Sequence, residues 1–369
     1  MKDKVLFLPG LNGLRSIASL SVMIGHIAGS SSAFNLDFFL FGSDEKGLPK
    51  SWLLGSYGVT IFFVLSGFLI TYLLVLEKEK SEINIKKFYI RRILRIWPIY
   101  YLFFIVCLAV IFYTQQSISY QTVLYYIFFL ANIPFIYSFS IPLVSHYWSI
   151  AVEEQFYLFW PLLLKNIKNL FLIVFSLVLI QNIIRYFLWW QYPYLEGAIF
   201  SIVNRFDCMM IGGIAAILYY KKHTLFMKLC DNKLAQFISW FLIILLACNV
   251  KFVNAIIDTT IVTLFSVVLI VGQINVKNRL VNLDIPFFNF IGKISYGIYV
   301  YHILIIYLFS NLYSNLILNS IYKTWLVYGS VILMSIFVAY ISYEYFESYF
   351  IKFKDKFAVV KSSASKPIN

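Results

Sequence analysis

Arg15 and His26 are the first residues in this chain whose types and spacing suggest chemistry, because both fall inside an apolar run long enough to cross a membrane. Eleven residues along an α-helix return to within roughly 20° of the starting face after three turns and advance about 16 Å along the axis. An arginine near one interface could therefore hold the anionic end of a ligand while an imidazole near mid-membrane, or slightly beyond, meets its far end. Such a ligand would have to be long and thin. A neutral imidazole at that depth can act as a general base. The structural alternatives are a snorkelling topology marker at Arg15 and a helix-to-helix hydrogen bond at His26.

Ionisable side chains within a span cost several kcal/mol unless they are paired or line a wet cavity, so the others pose the same question. Glu153 and Glu154 follow His146-Tyr147-Trp148-Ser149. Adjacent helical residues point about 100° apart, which favours one working carboxylate toward the bundle interior over an acid/base pair. Pairing with Arg15, Arg185 or Arg205 is the alternative. Arg92 and Arg95 are three residues apart beside the membrane and share one helical face. Guanidinium forks suit phosphates, although such residues also serve as topology signals or headgroup contacts. His302 ends the stretch Ser295-Tyr296-Gly297-Ile298-Tyr299-Val300-Tyr301-His302 and reads equally as a second site histidine or an interhelical hydrogen-bond partner. His223 lies in a basic loop and is assigned no role.

Holding these groups requires a membrane bundle. Of 369 residues, 61% are hydrophobic, 20% aromatic and 13% charged, about half the charged share of a soluble domain. One soluble core cannot hide that much apolar surface, whereas a bilayer solvates it. Apolar runs appear near 14–31, 56–76, 97–114, 146–164, 169–189, 205–220, 234–249, 256–274, 292–313 and 325–346, each able to cross about 30 Å of hydrocarbon. The fold class is therefore an all-α integral membrane protein of about ten transmembrane helices. The stretch 120–139 is also apolar, but counting it as a span would throw the later basic clusters to the opposite side. Left out, it lets Lys2 and Lys4, Lys78 to Arg95, Lys165 and Lys168, Lys221 to Lys228, Lys277 and Arg279, and 352–369 share one side, the cytosol, with both termini. The stretch 120–139 is then a re-entrant or interfacial element, broken at Pro134 and Pro142.

The net charge is +13, but its basic residues sit between apolar runs, with no soluble basic domain to hold a nucleic acid. Cys107, Cys208, Cys230 and Cys248 are far apart and give neither a disulfide framework nor a metal-ligand spacing. A cleaved signal over 1–33 is disfavoured, because Arg15 and His26 interrupt its apolar core and would be discarded. The loop 31–55, with Asp37, Asp44, Glu45, Lys46 and Lys50, either covers a site or only connects. Residues 1–351 form the membrane domain, and 352–369 a basic, solvated cytosolic tail.

In order along the chain, these features resemble a known family. Leu11-Asn12-Gly13-Leu14-Arg15 leading to His26 is similar to the first-helix signature of the acyltransferase-3 membrane family. Gly58-Val59-Thr60-Ile61-Phe62-Phe63-Val64-Leu65-Ser66-Gly67-Phe68-Leu69 resembles its second-helix motif, and Arg91-Arg92-Ile93-Leu94-Arg95-Ile96-Trp97-Pro98 its Arg-x-x-Arg element. Trp148 to Tyr157 and Ile294 to His302 complete the pattern over essentially the whole chain. The resemblance implies O-acyl, usually O-acetyl, transfer from acyl-CoA to sugars of lipopolysaccharide, capsule, exopolysaccharide or related glycans at a bacterial cytoplasmic membrane. It carries the essential histidine onto His26, its arginine partner onto Arg15, the phosphate-binding pair onto Arg92 and Arg95, and the glutamate onto Glu153; His302 and Trp148 fall on the substrate side. Some relatives end in an added hydrolase-like domain that takes part in transfer. This chain is expected to lack it, leaving acceptor delivery to the membrane domain or to polysaccharide-assembly partners.

The expected partners are thus acetyl-CoA as donor, an envelope glycan or lipid-linked sugar as acceptor, and the bilayer, with no metal and no nucleic acid. Neutral His26 would take the proton from the acceptor hydroxyl, with Glu153 orienting the imidazole or the sugar. An acyl-imidazole intermediate is the second chemistry. A transporter of glycan or lipid-linked sugar, or a non-catalytic assembly protein, would show no thioester cleavage dependent on His26.

Overall fold

The computed structural model describes residues 6–44, 47–167, 169–192, 205–250 and 252–360. Lys2, Lys4, Glu45, Lys46, Lys168 and 361–369, used above in the topology and tail assignments, lie outside them. Among the described residues the chain is all-α, with an isolated bridge between Ser43 and Pro49. Its helices are α1 (Leu11–Gly29), α2 (Leu53–Lys80), α3 (Ile85–Tyr113), α4 (Tyr120–Ile127), α5 (Asn132–Ile136), α6 (Tyr147–Asn166), α7 (Leu170–Gln191) and α8 (Phe206–Tyr220). They continue as α9 (Thr224–Asp231), α10 (Lys233–Ala247), α11 (Ala255–Ile274), α12 (Pro286–Lys293), α13 (Ser295–Tyr313), α14 (Ser320–Ser342), a π-helical turn (Tyr343–Glu347) and α15 (Ser348–Lys354).

A helix covers each of the ten apolar runs. Among the described residues, six helical segments are long and apolar enough to cross a membrane, and α9 with α10, bent by 65°, makes up to seven if that pair is one span. The multi-pass membrane character follows from these. Helices α1 and α6 are not among them although they have 19 and 20 residues, because Asn12, Arg15 and His26 in one and Glu153, Glu154 and Gln155 in the other dilute their apolar character. By contrast, α7 exposes Leu172, Phe175, Leu179, Ile183 and Phe187, a surface suited to lipid tails.

The stretch 120–139 forms two short helices, neither long enough to span. Its break differs from the proline-based expectation. The chain turns at Phe129 and Ser138, which have φ values of 54° and 59°, whereas Pro134 sits in the first turn of α5, where its missing N–H leaves no helical bond unmade. Pro142 opens a short 3₁₀ turn before α6.

Small residues set how closely the central helices approach. A Cβ on Gly58 would meet the Ala18 carbonyl at 2.6 Å, and one on Gly25 the Gly55 nitrogen at 2.4 Å, so α1 and α2 cross in backbone contact. Gly67 and Gly212 do the same for α2 and α8, with distances of 1.9 and 2.2 Å to the Met209 and Val64 carbonyls. Where lipid is as apolar as a side chain, close backbone packing and polar contacts hold helices together. The pairing of α1 with α2 fixes Arg15 and His26 against the wall that α3, α6 and α13 complete.

Ion pairs and hydrogen bonds gather the basic segments at one end. Glu77 of α2 pairs with Arg91 of α3 at 2.8 Å, Lys78 donates to the Leu164 carbonyl of α6 at 2.9 Å, and Lys165 lies 3.4 Å from Glu82. The segment expected to be solvated from 352 onward begins packed at this same end. Lys354 is buried, and Arg91 donates to the Phe357 carbonyl at 2.9 Å.

Candidate active site

Two cavities meet at this basic end. A vestibule is lined by residues preceding α1 and by α12, α15 and the π-helical turn. A narrower chamber continues inward between α2, α3, α6 and α13. Arg15, Arg92, Arg95 and Tyr296 line both, so the passage from one to the other runs between three guanidinium groups. The spacing argument for Arg92 and Arg95 holds, since both face the same space.

None of the three arginines forms an ion pair or hydrogen bond among the described residues, and the buried Nε of Arg92 has no hydrogen-bond partner. The Arg92 guanidinium lies over the Phe88 and Tyr157 rings at 5.7 Å each. Unpaired guanidinium groups around one cavity carry donors and charge that a polyanion can satisfy. Lys293 and Lys354 add positive charge to the vestibule, against Glu347 and Asp355. The π-helical turn brings Tyr343 and Glu347 into that wall, a placement such turns often serve at functional sites.

The two glutamates separate as the angular argument requires. Glu153 lines the chamber and accepts hydrogen bonds from the Ser66 and Tyr157 hydroxyls. Glu154 turns toward α3 and accepts from Trp97 Nε1 at 3.0 Å. Neither pairs with Arg185, which binds Asp207 at 2.7 Å, or with Arg205, which donates to Thr60 at 2.8 Å. Glu153 is also not in hydrogen-bond contact with His26, so of its two expected roles, orienting the imidazole or the sugar, the first has no direct contact behind it.

His302 stands in that position. His26 Nδ1 and His302 Nε2 are 2.8 Å apart, with the rings stacked at 4.9 Å between centroids. His146 completes the cluster, its ring 5.1 Å from that of His302 and its Nε2 bonded to the Val300 carbonyl at 3.2 Å. Of the two readings left open for His302, the interhelical hydrogen bond is present, and its partner is His26. His26 sits in the last turn of α1, closer to the end opposite the vestibule than to mid-helix.

The chamber stops one side chain short of these rings. Tyr299 and Ser149 line it and hydrogen-bond to each other, and the Tyr299 hydroxyl donates to the His146 carbonyl at 2.9 Å. The Tyr299 ring is 5.4 Å from His146 and 5.8 Å from His302. Trp148 is not brought to the chamber wall. It stacks on Phe135 of α5 at 5.2 Å and meets Phe63 edge-on, so it ties the short outer helix to α6.

The acyltransferase domain model of the acyltransferase-3 family matches residues 8–344. The chain belongs to this family. The match takes in α1 through the start of the π-helical turn, and with them Arg15, His26, Arg92, Arg95, Glu153 and His302. The peptidoglycan O-acetyltransferase OatA of Listeria monocytogenes is 32% identical over 211 residues, 52% of this chain and 30% of that protein. The O-acetyltransferase OatA of Staphylococcus aureus is 30% identical over 179 residues, 45% of this chain and 26% of that protein. The matched region spans less than a third of the length of these relatives. No solved structure matches the chain.

Sequence reasoning missed Ser66, Tyr157, Tyr299 and His146. His146 precedes the glutamates with no periodicity or partner of its own to mark it, and only contacts of the start of α6 with α13 draw it to His302. Tyr299 sits in the same stretch as His302, three residues earlier, and shares its inward-facing side of the helix.

Proposed function

We propose that this protein is a membrane O-acyltransferase that moves an acyl group, acetyl by analogy with its relatives, from cytosolic acyl-CoA to a hydroxyl of a cell-envelope glycan or lipid-linked sugar. The observation that carries the donor assignment is the passage between Arg15, Arg92 and Arg95, which have no ion-pair partners among the described residues and open onto a chamber leading toward a histidine cluster. Coenzyme A pairs a polyanionic nucleotide end with a slender arm, and that division suits a basic vestibule joined to a mostly apolar chamber. Family membership favours acyl transfer over glycan export.

In this reading the nucleotide phosphates rest among the arginines at the cytosolic side of a bacterial cytoplasmic membrane, and the thioester passes along the chamber to Tyr299. A side-chain swing of Tyr299, breaking its bonds to Ser149 and the His146 carbonyl, opens the last layer to His26. Neutral His26 takes the acceptor hydroxyl proton as the oxygen attacks the thioester carbonyl carbon. The C–S bond breaks, and the thiolate receives that proton from the imidazolium, leaving ester, free thiol and the original imidazole. The polarised donors around Glu153, from Ser66 and Tyr157, hold its carboxylate at the chamber wall, where it meets the arm or the sugar.

The test is thiol release by purified protein supplied with acetyl-CoA and envelope glycans, with mass spectrometry of the acylated product. Release coupled to glycan acylation, and reduced at least about 100-fold in His26→Ala, is expected, in line with the usual contribution of a general base. Full activity in His26→Ala contradicts the mechanism. Transport of glycan without thiol release contradicts the activity.

A further inference from the structure

His302 carries a second hydrogen bond that decides what its contact with His26 does. Its Nδ1 lies 3.1 Å from the Ile298 carbonyl, one turn back on α13. A carbonyl oxygen has no hydrogen to give, so His302 Nδ1 carries the proton of that bond. In a neutral ring the other nitrogen, Nε2, is then an acceptor. Nε2 is the atom 2.8 Å from His26 Nδ1, so His26 must donate through Nδ1, and its own lone pair is left on Nε2. The assignment follows from partners rather than from visible hydrogens.

The geometry points to His302 as the positioning residue that fixes His26 in its Nδ1-protonated tautomer and so makes Nε2 the atom that removes the acceptor proton. This inference rests on the acyl-transfer reading above and names the atom and the orienting group within it. The relay starts at a peptide carbonyl: the α13 backbone orients His302, and His302 orients His26. It assigns to an imidazole the part that a carboxylate plays in a Ser-His-Asp triad.

The surroundings fit that role. His302 is fully buried, which removes water as a competing partner, whereas His26 retains part of its surface. Behind His302 the His146 ring packs at 5.1 Å, with its own Nε2 occupied by the Val300 carbonyl. His302 and His146 are thus both held by carbonyls of α13, at Ile298 and Val300, and that one helix sets the geometry of the cluster. In the reaction the acceptor proton moves to His26 Nε2 as the C–O bond forms, then to the departing thiolate as the C–S bond breaks. While His26 is cationic, its Nδ1–H bond to His302 becomes charge-assisted and stronger than in the resting state, which is where a positioning contact lowers the barrier.

The chain has four histidines, so ¹⁵N-histidine labelling with single replacements assigns each ring. In the unaltered protein, ¹⁵N spectra should show His26 protonated at Nδ1. In His302→Leu the acceptor is gone, the His26 tautomers should redistribute toward Nε2–H, and kcat should fall about 100-fold with the acetyl-CoA KM within about 2-fold. His302→Gln, whose amide oxygen can accept from Nδ1–H, should recover about 10-fold of that loss. A His26 protonated at Nε2 in the unaltered protein, or an unchanged kcat in His302→Leu, overturns the inference. Loss of activity in His26→Ala alongside an unchanged His302→Leu removes this inference alone. Full activity in His26→Ala removes the reading on which it rests.

Discussion

The bundle contains two groups of buried or half-buried arginines, and it treats them in opposite ways. Between α7, α8 and α2, Arg185 pairs with Asp207 at 2.7 Å, and Arg205 donates to Thr60 at 2.8 Å with the Ser56 hydroxyl and carbonyl at 3.5 Å. Between α1, α3 and the vestibule, Arg15, Arg92 and Arg95 have no such partners among the described residues and line open space. Both groups meet the same physical demand, since a guanidinium in a membrane bundle needs a partner or water. The first is satisfied by the protein itself and contributes structure. The second is left for a ligand and for the water that precedes it.

The comparison predicts that mutations in the two groups separate stability from activity. The largest effect should come from Asp207→Ala, which breaks the buried ion pair with Arg185 and should lower stability in detergent by about 3–5 kcal/mol, read as a fall in thermal unfolding temperature. Replacing both partners, Arg185→Met with Asp207→Leu, should restore much of that loss, because a buried pair removed whole is far less costly than one broken. Next, Arg92→Ala or Arg95→Ala should raise the acetyl-CoA KM by about 10- to 100-fold, as expected for loss of a hydrogen bond to a charged group, while thermal stability changes little. A stability loss in Arg92→Ala as large as that in Asp207→Ala would erase the distinction. Lys354→Ala should have a smaller effect on the same KM, about 2- to 5-fold, because its ammonium is already paired with Asp355 at 3.4 Å and adds charge to the vestibule without a bidentate fork. The smallest effect on activity should be in Trp97→Phe, which removes the donor to Glu154 outside the chamber and should leave kcat intact while costing about 1–2 kcal/mol of stability.

Much of this architecture was legible from the chain because hydrocarbon permits few solutions. Each apolar run had to become a helix, and each ionisable residue in a run had to find a reason to be there. The facing of Arg92 with Arg95 and the divergence of Glu153 from Glu154 followed from helical geometry alone. What the chain does not display is contact between distant segments. His26 and His302 are 276 residues apart, and nothing local in either helix announces a 2.8 Å contact between them. Glu153 was expected to orient either the imidazole or the sugar, and it is Ser66 and Tyr157, from elsewhere in the chain and one turn along α6, that donate to its carboxylate. The turn at Phe129 was hidden for another reason. A proline is a visible breaker, whereas a phenylalanine in the left-handed region is held by packing, here against Tyr100 at 4.4 Å and Trp97 at 5.3 Å.

The account centres on one path, from the arginine-lined vestibule through the chamber to His26. An electron cryomicroscopy structure of the protein with a non-hydrolysable acetyl-CoA analogue tests it most directly. The account predicts phosphates among Arg15, Arg92 and Arg95, the arm along the chamber past a displaced Tyr299, and the acyl carbon within reach of His26 Nε2. A nucleotide bound away from the arginines, or an arm that ends with Tyr299 and Ser149 still joined and His26 sealed off, would contradict it.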